Sequence, residues 1–213
     1  MSFDPKTAAV LIVDLQNDFL DPKGAYGRAG QTSSEIAALP SRILPLLKAI
    51  RQAGGWVVST QFTLVPGKGG EPFISYHLKK LRPFLGKGDF SPASWGNSLV
   101  DDLQPADITV EKIAYSAFYQ TRMEYSLSKA GIKTLFVCGI VTNGGVASTV
   151  RDAHVRDFHT ITLEDGCAAF SKDTHNLAIQ SLKTCLLYTS PSPRDVEESR
   201  MPEWAWKKNG GGG

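Results

Sequence analysis

Several things are scarce in this chain, and each scarcity narrows what it can do. There are four histidines, His77, His154, His159 and His175, and they lack the spacing of a metal-ligand set. The three cysteines, Cys138, Cys167 and Cys185, are odd in number and widely spaced, which fits neither a disulfide framework nor a thiolate metal site. No apolar run approaches the roughly 18 residues of a membrane span. The stretch Met1-Ser2-Phe3-Asp4-Pro5 lacks the apolar core of a signal peptide, so a cytoplasmic location is expected. An excess of one charge is also missing. Twenty-three Lys and Arg face 21 Asp and Glu, a net charge of +2, which argues against nucleic acid or a membrane as partner. The densest basic pairs, Lys79-Lys80 and Lys207-Lys208, read as solvated faces.

What is present is an ordinary hydrophobic inventory, 42% of 213 residues, enough for one domain with a full core. Apolar runs alternate with amphipathic stretches, the pattern of a mostly parallel sheet covered by helices on both faces, a three-layer α/β/α sandwich. Strands are expected at 8–14, 56–61, 107–112, 133–140 and 158–163. The spacing of Ile36, Leu39, Ile43, Leu46, Leu47 and Ile50 predicts one helix over 34–53, stopped at Gly54-Gly55. A second helix is expected over 120–130. A third opens at Asn143 or Gly144 and runs to Arg156, burying Val146, Val150 and Ala153. A last helix is capped by Asp173 or Thr174, with Leu177, Ala178, Ser181 and Leu182 along it. Residues 64–104 are rich in Gly and Pro and read as a long functional loop with one short helix near 74–81.

Three of the expected strands end in polar chemistry. The first runs into Asp14-Leu15-Gln16-Asn17-Asp18-Phe19, the third ends Glu111-Lys112, and the fourth runs into Val141-Thr142-Asn143-Gly144-Gly145. In an open parallel sheet, ligands bind at the carboxyl ends of the strands. An acid, an ammonium and a glycine-rich turn at three such ends make a reaction centre. Asp14 alone could be a turn cap, and Lys112 alone a snorkelling surface group paired with Glu111. A glycine-rich strand-to-helix turn explains Gly144 and Gly145 without any ligand, though not the Thr-Asn before them.

At these residues the chain resembles the isochorismatase-like hydrolases, the cysteine hydrolase superfamily. That group is marked by a strand ending Asp-x-Gln-x-Asp-Phe, by a Lys ending a later strand, and by a turn Gly-x-x-Thr-Asn-x-Cys-Val. Tyr115-Ser116-Ala117-Phe118-Tyr119 and Glu164-Asp165-Gly166-Cys167-Ala168 add to the likeness. Where most members carry the nucleophilic cysteine, this chain has Gly145. The resemblance implies a hydrolase of small organic molecules with Asp14, Lys112 and Gly145 at the catalytic centre. Val141, Thr142, Asn143 and Gly144 would supply an oxyanion turn, with a cis peptide before the Thr position. Phe19, Trp95, Tyr115, Phe118 and Tyr119 are expected to wall the substrate pocket, though each equally suits an ordinary core, and only Phe19, Tyr115 and Phe118 stand at positions that match family site neighbourhoods. It also implies a homo-oligomer.

Without a thiolate the covalent amidase route is closed. The isochorismatases proper also carry Gly at this position and cleave a vinyl ether with no covalent intermediate, so Asp14 is expected to act as the acid. A binding protein without turnover, or an amidase that has lost its cysteine, are the alternatives; Val141-Thr142-Asn143 is the amidase-like stretch. Cys138, Cys167 and Cys185 are not expected to replace the nucleophile. No metal or other cofactor is expected, since Gln61-Phe62-Thr63 stands where nicotinamidases of this group carry an Asp-x-His-type motif.

The domain is expected to occupy 1–185. Residues 186–213 read as an aberrant tail. Leu186–Ser190 with the prolines that follow resembles the translated sequencing-adapter ending found in assembled metagenomic sequences, and Gly210–Gly213 resembles a cloning linker. Leu186–Thr189 can still supply a short edge strand, which Pro191 and Pro193 would stop.

Overall fold

The computed structural model describes residues 3–185 and 189–190. The rest of the expected tail, 186–213, lies outside the described residues. Among the described residues, six strands form one parallel sheet: β1 (Ala8–Val13), β2 (Trp56–Phe62), β3 (Ile108–Lys112), β4 (Thr134–Ile140), β5 (His159–Ala168) and β6 (Thr189–Ser190). Their order is β3-β2-β1-β4-β5-β6. The order reverses between β1 and β4, which opens a crevice at their carboxyl ends. β1 and β4 are buried at every position because helices cover both faces of the sheet.

Among the described residues, eight α-helices accompany the sheet: α1 (Asn17–Leu20), α2 (Ala25–Arg28), α3 (Ser34–Ala37), α4 (Leu39–Gln52), α5 (Tyr76–Leu81), α6 (Met123–Lys129), α7 (Ala147–His154) and α8 (Lys172–Cys185). One core cluster packs Ile43, Leu47 and Ile50 of α4 on Val10, Ile12 and Phe136. The other packs Met123, Leu127 and Val150 on Leu11, Val13 and Val137. The even and odd positions of β1 therefore serve opposite faces, as strand geometry requires.

Several expected boundaries shift, each for a local reason. The single helix over 34–53 is two helices meeting at Ala38, because Pro40 has no N–H to continue the ladder from α3. The helix expected from 120 begins at Met123, since Gln120 takes a left-handed φ of 52°. The helix expected from Asn143 or Gly144 starts instead as a π-type turn, Thr142–Val146, before α7. Val146, Val150 and Ala153 are buried, as the spacing predicts.

β5 runs past 163 to Ala168, so Glu164–Ala168 belongs to the strand. Its register with β4 jumps from Val137↔Thr162 to Gly139↔Cys167. Ser171 caps α8, accepting from the Thr174 N–H, in place of Asp173 or Thr174. The buried stripe of α8 is Ile179 and Leu182, while Leu177 is exposed. An edge strand does follow α8, at Thr189–Ser190 against β5.

Candidate active site

Asp14 follows β1 directly and takes a left-handed φ of 57°. That conformation costs a non-glycine residue roughly 1–2 kcal/mol, and Asp is among the residues that adopt it. The Asp14 N–H donates to Thr60 Oγ1 at 3.2 Å, and the Thr60 hydroxyl donates back to Asp14 Oδ1 at 2.6 Å. Thr60 stands beside Val13 in the β1–β2 register, so the pairing of the strands sets this closed loop. The other carboxylate oxygen, Oδ2, lies 2.6 Å from Lys112 Nζ.

Lys112 ends β3, where Glu111 is exposed and Lys112 is buried, so strand alternation settles which of the two faces inward. Its ammonium also donates to the Ala114 carbonyl at 2.9 Å and lies 5.6 Å from the Phe62 ring centroid. Asp14 and Lys112 are 5% and 2% exposed. A pair this buried is held by its own Coulomb attraction and by Thr60 and Ala114, with little screening from water.

Position 145 completes the group. A Cβ built on Gly145 would lie 3.4 Å from Asp14 Oδ2, 3.2 Å from Val13 Cγ1 and 2.9 Å from the Ile140 carbonyl. Its missing side chain therefore points at the carboxylate. Behind it, Gly139 has φ 117°, and a Cβ there would meet the Val13 carbonyl at 2.1 Å, so β4 approaches β1 this closely only with glycine. The Ile140–Val141 peptide is cis.

The turn itself differs from expectation. The N–H groups of Gly144 and Val146 donate to the Val141 carbonyl at 2.9 and 3.2 Å, so they are spent inside the turn. Thr142 is fully buried, and its hydroxyl pairs with His175 Nδ1 at 2.8 Å. Asn143 is exposed. His175 lies on α8, and its pKa is lowered by burial, against which Glu164 and Glu35 push upward. No spacing in the sequence ties His175 to Thr142.

The expected aromatic walls divide. Phe19 is half-buried and packs on Phe62, Phe90 and Tyr26, with centroids 6.3, 4.5 and 4.8 Å away. Tyr115 is exposed and lies beside Gly144, where an added Cβ would meet its ring carbons at 3.4 Å. Trp95 is exposed, and it is its carbonyl that engages the strap after β1, accepting from Asn17 Nδ2. Tyr119 is exposed as well. Phe118 is a core residue: it is buried against Phe158, with the Arg156 guanidinium 5.1 Å from its centroid.

Gln16 and Asp18, the other polar members of the first motif, fasten the long loop. Gln16 exchanges hydrogen bonds with both the N–H and the carbonyl of Phe62 and donates to the Asn97 carbonyl. Asp18 accepts from the N–H groups of Ala25 and Phe90. Among the described residues, no three His, Cys, Asp or Glu side chains gather as metal ligands do. No helix of the described residues is long and apolar enough to cross a membrane.

Comparison with known proteins agrees with this fold. A model of the isochorismatase domain matches residues 8–192. A ureidoacrylate amidohydrolase of Methylobacterium radiotolerans is 33% identical over 196 residues, covering 86% of this chain and 76% of the relative. The corresponding amidohydrolase of Caulobacter vibrioides is 35% identical over 173 residues, 76% of this chain and 77% of its own. Among solved structures, a cysteine hydrolase from Pseudomonas syringae pv. phaseolicola superposes with a TM-score of 0.77 at 25% identity, covering 91% of this chain and 92% of its own. An isochorismatase-like hydrolase from Alkaliphilus metalliredigens shares the fold, with a TM-score of 0.74 at 23% identity over 91% of this chain and 98% of its own.

Proposed function

Since the chain belongs to the isochorismatase family of hydrolases, we propose that it cleaves a small organic molecule by acid catalysis from Asp14, without a covalent cysteine intermediate. The observation that carries this reading is the buried Asp14–Lys112 pair, 2.6 Å apart, with position 145 empty of side chain beside Asp14 Oδ2. With a vinyl ether as substrate, Asp14 in its carboxylic-acid form gives its proton to the terminal vinyl carbon. Water then bonds to the adjacent oxocarbenium carbon and returns a proton to Asp14. The hemiketal so formed breaks its ether bond, releasing an alcohol and leaving a ketone. Lys112 steadies the carboxylate left behind while the cation exists. Val141, Thr142, Asn143 and Gly144 shape the floor beside the reacting bond.

A second reading has its own support. The Cβ direction at 145 is the one a nucleophile would need, and the curated relatives named above are amidohydrolases. In that reading the chain is an amidase frame without its thiol, which binds its substrate and turns it over weakly or not at all. A panel of vinyl ethers and carbamoyl amides, run on the natural chain and on Gly145→Cys, separates the two. Acid catalysis predicts turnover by the natural chain. Amide turnover appearing only in Gly145→Cys would replace that reading with the second.

A further inference from the structure

Thr60 is a hydroxyl inside a mostly apolar strand, and both of its hydrogen bonds close on one residue. It is fully buried in β2. Ser59, the next residue back and so on the opposite face of the strand, pairs with the Thr109 hydroxyl of β3 at 3.2 Å, an ordinary cross-strand contact. Thr60 turns to Asp14 instead. Its oxygen accepts the Asp14 N–H at 3.2 Å, and its hydrogen goes to Asp14 Oδ1 at 2.6 Å. The left-handed backbone of Asp14 presents its N–H and its carboxyl to the same hydroxyl.

This closed pair decides where a proton on Asp14 can sit. A hydroxyl has one hydrogen to give. Thr60 has no other hydrogen-bond partner among the described residues, so that hydrogen is committed to Oδ1. Oδ1 is then an acceptor in both charge states of Asp14, and the acid proton falls to Oδ2. That oxygen takes one bond from Lys112, 2.6 Å away, and keeps a second lone pair for the proton. Oδ2 is also the oxygen that faces position 145, where an added Cβ would lie 3.4 Å from it. The proton is therefore carried on the side where a side chain is missing and a substrate atom can stand.

The same bond gains strength during the reaction. As the Oδ2–H bond breaks and a C–H bond forms on the substrate, the electron pair left behind spreads over both carboxyl oxygens. A hydroxyl that donates to a carboxylate makes a shorter and roughly twofold stronger bond than one that donates to a neutral acid. Thr60 thus holds the state after proton transfer more tightly than the state before it, which is the condition for lowering the barrier.

We propose that Thr60 is a positioning residue of the candidate site, which assigns the Asp14 proton to Oδ2 and takes up at Oδ1 the charge that proton transfer leaves. This inference rests on the proposed acid role of Asp14 and deepens it with a residue that touches no substrate.

The variants are Thr60→Val, which keeps the branched shape and loses the hydroxyl, and Thr60→Ser, which keeps the hydroxyl. Thr60→Ala stands in for Thr60→Val if the latter does not fold. With a vinyl ether as substrate, Thr60→Val should lose about tenfold in kcat with KM little changed, because the lost bond strengthens only as charge develops. Thr60→Ser should recover most of that loss. The alkaline limb of the kcat profile should move to higher pH in Thr60→Val, since the carboxylate has lost a donor. The titratable groups around Asp14 are Lys112 of β3 and, at longer range, Tyr26 of α2, while the turn after β4 brings only the bare Gly145. Both groups are present in every variant, so the movement belongs to Thr60.

A second readout needs no turnover. The carbon-13 resonance of the Asp14 carboxyl, assigned with Asp14→Asn, is followed over the pH range in which all the proteins stay folded by circular dichroism. It should change over at higher pH in Thr60→Val than in the natural chain or in Thr60→Ser. That order, found in a natural chain inert toward every vinyl ether, would end the hydrolase reading and still support the hold of Thr60 on Asp14. The same pH course in Thr60→Val and the natural chain overturns the proposal whatever the assays show. So does a folded Thr60→Val protein that keeps the natural kcat.

Discussion

On the β1–β2–β3 side of the crevice, the polar atoms are supplied by side chains. Asp14, Thr60 and Lys112 are buried, paired and fixed by strand register. On the β4–β5 side, position 145 is bare backbone, and the turn spends the N–H groups of Gly144 and Val146 on its own Val141 carbonyl. The thiols on that side are Cys138 and Cys167, both buried within the sheet, with Sγ atoms facing the carbonyls of Leu11 and Val137. Burial raises both of their pKa values, well above the ordinary thiol range, so neither is a ready thiolate. The contrast teaches that the buried ionic pair of this candidate site lies on one flank and a backbone turn bare of side chain at position 145 on the other.

The largest expected effect comes from disarming the charged flank. Asp14→Asn keeps the shape of the side chain and removes the titratable proton. General acid catalysis is worth about 10²–10⁴-fold, so kcat should fall by at least that range while the protein stays folded by circular dichroism. Equal turnover by the variant and the natural chain would end the acid reading and erase the contrast between the flanks.

The next effect is on stability. Lys112→Met leaves the Asp14 carboxylate buried with only Thr60 as partner. Removing one member of a buried ion pair costs about 3–5 kcal/mol, read as a shift in the denaturant midpoint. Joining Asp14→Asn to Lys112→Met should cost less than the sum of the two single changes, because the double variant strands no charge. Additive losses would show that the two groups do not act as a pair.

How much of this was legible beforehand depends on what carried the signal. Asp14, Lys112 and Gly145 were readable because each ends an apolar run, and strand ends converge in a parallel sheet. The alternation of β3 then decides between Glu111 and Lys112. Thr60 left a trace too, as a polar residue inside the apolar run of β2 that faces Val13. His175 left none: it arrives from α8, and only tertiary packing brings it to Thr142. Phe118 shows the opposite failure: it lies close to Lys112 in sequence, but the turn after β3 sends its ring into the core against Phe158. The break at Ala38 was written in Pro40, which the apolar spacing of α4 outweighed.

Smaller effects sharpen the floor side. In the native protein iodoacetamide should label exposed Cys185 and spare Cys138 and Cys167, with turnover unchanged; intact mass before and after denaturation counts the adducts. Loss of turnover on labelling would mean that a thiol serves the reaction after all.

The smallest effect concerns His175. Its pKa is lowered in the folded chain, chiefly by burial, with Glu164 and Glu35 opposing and Arg42 assisting. The unfolded histidine titrates near about 6.5. Below that pH the unfolded state takes up a proton that the folded state resists, so stability present at neutral pH is lost as the pH falls. The melting temperature should drop from pH 7 to pH 5 more steeply for the natural chain than for His175→Gln. Parallel curves would remove His175 from the account of the turn.

The strap that Gln16 and Asp18 throw over the long loop has a consequence for anyone who would redesign this protein. Both side chains grip the loop by main-chain atoms, those of Phe62, Phe90 and Asn97, and not by the identities of the residues at those points. Asn97 adds its own side chain to the clasp, donating to the Phe62 and Phe90 carbonyls and to the Thr63 hydroxyl. The exposed residues strung between these anchors can be rewritten without untying the loop from the sheet, provided that buried Leu64 and Leu85 are kept. The architecture thus separates a fixed ionic pair from an exchangeable cassette, and a library confined to the exposed positions of 65–88 would vary the loop while leaving Asp14 and Lys112 where β1 and β3 put them.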